Sequence, residues 1–84
     1  MKPVKVYTTT HCGFCQRAKE FLKSQAVPYV EVDVTGNDDE RNQLVERSGG
    51  QRTVPQIFIG ETHVGGYSDL MALHQQGKLQ ALLA

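Results

Sequence analysis

Two cysteines occur in the 84 residues, and they stand with two residues between them as Cys12-Gly13-Phe14-Cys15. Sulfur at this spacing can close a structural disulfide, supply half of a zinc site, or cycle between dithiol and disulfide. A disulfide across so short a loop removes little entropy from the unfolded chain and makes a poor staple. Zinc needs two further ligands, yet His11, His63 and His74 lack the spacing of a paired-histidine half-site and no second C-x-x-C occurs. A disulfide-built secreted miniprotein would spread more cysteines along its length. Redox chemistry is therefore the expected use of the pair.

The elements around the pair decide how reactive it is. Val4 and Val6 alternate with Lys5 and Tyr7, which predicts a strand ending in Thr8-Thr9-Thr10-His11. Phe14, Ala18, Phe21 and Leu22 then share one face of a 3.6-residue period, which predicts a helix running to about Gln25. Both sulfurs fall at the start of that helix. Unpaired N–H groups and the positive end of the helix dipole favour a thiolate at Cys12, the expected nucleophile. Cys15, a turn deeper beside Phe14 and Ala18, is expected to be less exposed and to act as the resolving thiol.

The remaining pattern completes the frame. Ala26-Val27-Pro28 breaks the helix, and Val30, Val32 and Val34 alternate with Tyr29, Glu31 and Asp33 in a second strand, most simply parallel to the first. Asn37 and Glu40 can cap one another at the start of a second helix that reaches about Ser48 with a narrow stripe of Leu44 and Val45. Gly49-Gly50 stops it. Pro55 can open a strand, and Gln56–Ile59, Gly60-Glu61 and Thr62–Val64 read as a hairpin with glycine first in the turn. After Gly65-Gly66, Ser68-Asp69 can cap a helix carrying Leu70, Met71 and Leu73, and a short helix from Lys78 to Leu83 follows Gly77. The order βαβαββα plus a short C-terminal helix predicts an α/β, thioredoxin-like fold, a four-stranded mixed sheet flanked by helices, as one domain over 1–84.

Composition narrows the setting. Nine Lys plus Arg balance nine Asp plus Glu, so no global field draws the chain to nucleic acid or to an anionic membrane. At 39% hydrophobic and 21% charged residues the chain can bury a core, and its longest apolar runs are far too short to span a bilayer. The charged, strand-like Lys2–Tyr7 does not read as a signal peptide, and a cytoplasmic protein is expected.

Three separated segments carry a resemblance. Cys12-Gly13-Phe14-Cys15, Thr53-Val54-Pro55 and Gly65-Gly66-Tyr67-Ser68-Asp69 resemble the active site, TVP loop and GG-x-x-D loop of dithiol glutaredoxins, in order and spacing. The resemblance covers essentially the whole chain, and the bacterial glutaredoxin-3-like group is the best match in length and in the run Thr53–Ile59. Thioredoxins are the nearest rival, but they are longer and typically carry Trp before the first cysteine, and this chain has no Trp.

The resemblance implies a glutathione-dependent thiol-disulfide oxidoreductase that acts on protein disulfides and glutathione mixed disulfides. It implies a glutathione groove in which the Val54 backbone pairs with the cysteinyl part of the tripeptide beside a cis Pro55. Ser68 and Asp69 would take its γ-glutamyl end, and Arg41 or Arg52 its glycine carboxylate; Phe14, Thr53 and Gly66 complete the set. From the residues alone, Pro55 can equally just open a strand, Ser68 and Asp69 just cap a helix, and either arginine just be solvated. The partners so implied are glutathione and its glutathionylated and disulfide-bonded clients, ribonucleotide reductase among the candidates, with a monomer in the apo form. Two other classes stay open. One is a homodimeric carrier of a two-iron, two-sulfur cluster held by Cys12 and glutathione; the other is a binding module or an electron donor fed by thioredoxin reductase. The chain departs from the pattern at Thr9, where many relatives have Lys, at His11 directly before Cys12, and at Gly13-Phe14, where Pro-Tyr is common.

Overall fold

The computed structural model describes all 84 residues. In chain order the elements are β1 (Val4–Thr8), α1 (Gly13–Ser24), β2 (Val30–Asp33), α2 (Asp38–Arg47), β3 (Gln56–Ile59), β4 (Thr62–Gly65), α3 (Tyr67–Gln75) and α4 (Leu79–Leu83). The strands form one sheet in the order β2-β1-β3-β4, with β1 parallel to β2 and antiparallel to β3, and β3 antiparallel to β4. The mixed four-stranded sheet and its flanking helices are those the sequence order predicts.

The central strands are buried on both faces, so a simple alternation of apolar and polar residues fails there. Val4 and Val6 sit opposite Ile59 and Ile57 and, with Ala18, Leu22, Leu70, Leu79 and Leu83, form the core under α1, α3 and α4. Tyr7 and Phe58 point the other way, meet edge-on with ring centroids 5.7 Å apart, and pack with Val34 and Leu44 beneath α2. Each fully buried Leu or Ile contributes about 1.5–3 kcal/mol.

Several expectations need correction. Phe14 is not on the buried stripe of α1: it is 55% exposed, and the stripe runs Cys15, Ala18, Leu22 instead. A cysteine thus takes the core position because the helix starts at Gly13 and its first inward side chain is the third. Val30 is 59% exposed, because β2 is an edge strand and its first residue extends beyond the cover of the helices. Asn37 caps α2 by accepting from Glu40 N at 3.1 Å, but the Asn37 N–H donates to the Val34 carbonyl rather than to Glu40, so the cap is not reciprocal. The N-cap residue of α3 is Gly66, and Asp69 caps that helix start from its third position by accepting from the Gly66 N–H, while Ser68 makes no capping bond; Lys78 is the cap of α4 rather than its first residue.

α1 ends where Val27 N–H reaches the Leu22 carbonyl at 2.9 Å and Ala26 N–H reaches that of Lys23 at 3.0 Å. This paired closure needs a left-handed residue between them, and Ala26 takes that conformation at φ 56°. The turn sends Val27 into the core and aims the chain back along β2.

Candidate active site

Cys12 is the N-cap of α1, with extended backbone, and its Sγ accepts from the Cys15 backbone N–H at 3.1 Å. Cys12 and Cys15 are joined as a disulfide. The two sulfurs differ in access: Cys15 is fully buried, whereas Cys12 is only half-buried. The expected asymmetry is present in the fold, since the cap position lies outside the helix and the third helical position faces the sheet.

The loop before Cys12 is tied to the end of β2. Thr10 N–H donates to Thr35 Oγ1 at 2.8 Å, and Thr10 Oγ1 lies 3.1 Å from Thr35 Oγ1 and 3.4 Å from Asp33. Hydrogen bonds from the Thr35 backbone N–H, then from its hydroxyl and that of Thr10, hold Asp33 below the usual carboxylate range. Below α1, Lys19 Nζ and the Thr8 hydroxyl meet Glu31 Oε2 at 2.9 and 2.8 Å and hold that carboxyl low as well.

On the other side stands the segment between α2 and β3. The Val54-Pro55 peptide is cis, and the Val54 carbonyl oxygen lies 3.7 Å from Cys12 Sγ. Beyond it, Gly65 takes φ +115° at the end of β4, and a Cβ there would run into the Asp69 carboxylate. Gly66 N–H donates to Asp69 Oδ2 at 2.9 Å, so the carboxylate occupies the first turn of α3, where the helix dipole favours an anion.

These pieces enclose a groove of about 160 Å³ lined by Phe14, Thr53, Val54, Pro55, Gly66, Tyr67, Ser68 and Asp69. Seven of the eight are residues that the sequence put forward. Tyr67 was missed; it lies inside the GG-x-x-D segment, and its ring faces Phe14 at 5.9 Å while the Arg17 guanidinium lies 5.3 Å from the Phe14 ring. Arg41 and Arg52 do not line the groove. Arg41 Nη2 donates to the Arg52 carbonyl at 3.2 Å, which ties α2 to the residue preceding Thr53.

A four-stranded sheet with a cysteine pair at the first helix start, beside a cis-proline loop, defines a thiol-disulfide oxidoreductase of thioredoxin-like fold. The glutaredoxin family model matches residues 4–64. A glutaredoxin of Pseudomonas aeruginosa is 50% identical over 84 residues, all of this chain and 99% of its own. Glutaredoxin 3 of Escherichia coli K12 is 45% identical over 83 residues, 99% of each chain. The solution structure of a Brucella melitensis glutaredoxin superposes with a TM-score of 0.85 at 44% identity, covering 99% of this chain and 89% of that one. A buckwheat glutaredoxin-glutathione complex superposes with a TM-score of 0.87 at 34% identity, covering 98% and 76%. The chain belongs to the glutaredoxin family, and it is a glutathione-dependent thiol-disulfide oxidoreductase.

Proposed function

We propose that the chain reduces glutathione mixed disulfides and protein disulfides, with Cys12 as nucleophile, Cys15 as resolving thiol and glutathione as reductant. One observation carries the assignment of roles: the outer sulfur sits at the helix N-cap with a backbone N–H donated to it, and the inner one is buried. With the disulfide opened, that N–H and the helix start favour a thiolate at Cys12.

In the monothiol route, the Cys12 thiolate attacks the glutathione sulfur of a mixed disulfide. The client leaves as thiolate and takes a proton, and a second glutathione thiolate then displaces Cys12 as oxidised glutathione forms. In the dithiol route, Cys12 attacks a client disulfide and Cys15 attacks the Cys12 sulfur, which releases the second client thiol and leaves the Cys12–Cys15 disulfide. Two glutathiones restore the dithiol.

The groove is read as the glutathione site. The Val54 backbone faces the sulfur, as pairing with the cysteinyl unit requires. Gly66, Ser68 and Asp69 at the start of α3 suit the γ-glutamyl end, with backbone N–H groups for its carboxylate and Asp69 for its ammonium. Support comes from the similarity to the buckwheat glutaredoxin solved with glutathione. Glutathionylated and disulfide-bonded cytoplasmic proteins are the proposed clients, with ribonucleotide reductase among them. No helix is long and apolar enough to cross a membrane.

The test is a coupled assay with glutathione, glutathione reductase and a glutathionylated peptide. Wild type turns over, and Cys12→Ser falls to a few per cent or less. Full activity in Cys12→Ser removes the assignment.

Iron-sulfur ligation is a second reading: Gly13, exposed directly after Cys12, leaves the turn free of the fixed φ a proline would impose, so the Cys12 sulfur can point outward to an iron shared with a second chain. Within one chain no three His, Cys, Asp or Glu side chains gather, so a second chain and glutathione have to complete the ligand set. Anaerobic reconstitution with iron, sulfide and glutathione, followed by visible absorbance and mass, tests it: a colourless monomer ends this reading.

A further inference from the structure

Gln56, which opens β3, is only 3% exposed, and a buried primary amide costs stability unless both of its ends are hydrogen-bonded. Both are. Its Nε2 donates to Thr53 Oγ1 at 3.1 Å, and its Oε1 lies 2.7 Å from His63 Nε2 on β4. An amide oxygen can only accept, so with Oε1 toward His63 the ring donates through Nε2, and the amide nitrogen is left to face Thr53. The His63 ring is itself held, stacked on Phe58 with centroids 4.9 Å apart.

The arrangement has a consequence at the groove. A threonine hydroxyl has one hydrogen and two lone pairs. Gln56 fills a lone pair of Thr53, and that contact is the one hydrogen bond its hydroxyl makes within the protein. Thr53 lines the groove on one side and, on the other, a second cavity that also holds Gln56 and His63. Its hydroxyl hydrogen is therefore taken by no acceptor within the protein, and Thr53 is exposed where it lines the groove, so a bound ligand can supply one. With the amide reversed, Thr53 would give that hydrogen to Gln56 and present only lone pairs to a ligand.

We infer that His63 and Gln56 are positioning residues that set Thr53 as a hydrogen-bond donor to a carboxylate or peptide carbonyl of the ligand in the groove. The inference rests on the proposed glutathione site and deepens it: the tripeptide offers acceptors of both kinds, and the chain from His63 selects for them.

The experiment measures KM and kcat for a glutathionylated peptide in wild type, Gln56→Met, His63→Phe and Thr53→Val, and in each of the first two combined with Thr53→Val. Gln56→Met keeps the volume and His63→Phe keeps the ring against Phe58. Loss of one such hydrogen bond is worth about 3- to 10-fold, so KM rises by about that factor in Gln56→Met and Thr53→Val, and less in His63→Phe, with kcat unchanged. In the Thr53→Val background neither second substitution raises KM further. KM unchanged in the single variants, or equal increments with and without Thr53, overturns the positioning role. If Gln56→Met loses its fold on heating, the comparison rests on His63→Phe, an exposed position. Absence of turnover in wild type overturns the glutathione reading and this inference together, an outcome distinct from turnover with unresponsive KM.

Discussion

Sγ of Cys12 lies 3.7 Å from the carbonyl oxygen of Val54, although 42 positions separate them in the chain. One residue belongs to a helix start and the other to the segment before β3, and the sheet pairing of β1 with β3 brings them side by side. In the proposed function, a ligand strand laid along Val54 brings its sulfur to Cys12, as thiol exchange demands. Cys15, below the surface, is reached only through Cys12.

That geometry separates the two reactions. Cys15→Ser should keep reduction of glutathione mixed disulfides within a few-fold of wild type, because one protein thiol suffices there, and should lose reduction of protein disulfides that needs two. Parallel assays on a glutathionylated peptide and on a disulfide-bonded protein check this. Equal loss in both assays would contradict the division of roles.

Thr9 is half-buried just past β1, at the position where the resemblance to dithiol glutaredoxins implies Lys. Thr9→Lys should lower the KM for glutathionylated substrate by up to about fivefold at low salt, as an exposed ion pair is worth at most about 1 kcal/mol. The gain should vanish near 1 M salt, where the screening length is about 3 Å. A gain that persists at high salt points to packing rather than charge.

Glu31 is held below its ordinary value of 4.5, chiefly by Lys19 and the Thr8 hydroxyl. A carboxyl lowered by folding contributes stability that is present above its unfolded value and fades as pH falls through the folded one. Its side chain is 37% exposed, so solvent screening keeps the contribution to about 0.5–1 kcal/mol. Glu31→Gln should therefore lower the urea midpoint at pH 7, and the gap to wild type should close in acid as Glu31 becomes protonated in the folded chain as well as the unfolded one. A difference that stays constant with pH assigns the effect to packing.

Gly65 combines φ +115° with a Cβ direction that meets the Asp69 carboxylate. Gly65→Ala should cost on the order of 1–3 kcal/mol in urea unfolding, since side-chain residues are strained in that region and the carboxylate must move. Moving Asp69 also removes its acceptance from Gly66 N–H, so KM for glutathionylated substrate should rise in the same variant. Wild-type stability and KM in Gly65→Ala would show that β4 relaxes without cost.

The residues that do the chemistry were legible in the sequence because their signals are local. A cysteine three residues before another at a strand-to-helix junction needs no distant partner to be recognised, and the glycines and proline that shape the loops announce themselves by type. Element order was legible for the same reason, since periodicity and punctuation act over a few residues. Which face each residue presents was decided only by tertiary structure. Phe14 follows the helical period yet lies exposed beside Tyr67, because the helix turns Cys15, not Phe14, toward the sheet. Gln56 looks like an ordinary strand opening, and its burial between Thr53 and His63 depends on the pairing of β3 with β4. Val54 meets Cys12 for a similar reason. Periodicity records how a segment is built, whereas contact between segments far apart in the chain is set by how the sheet and its two cores pack.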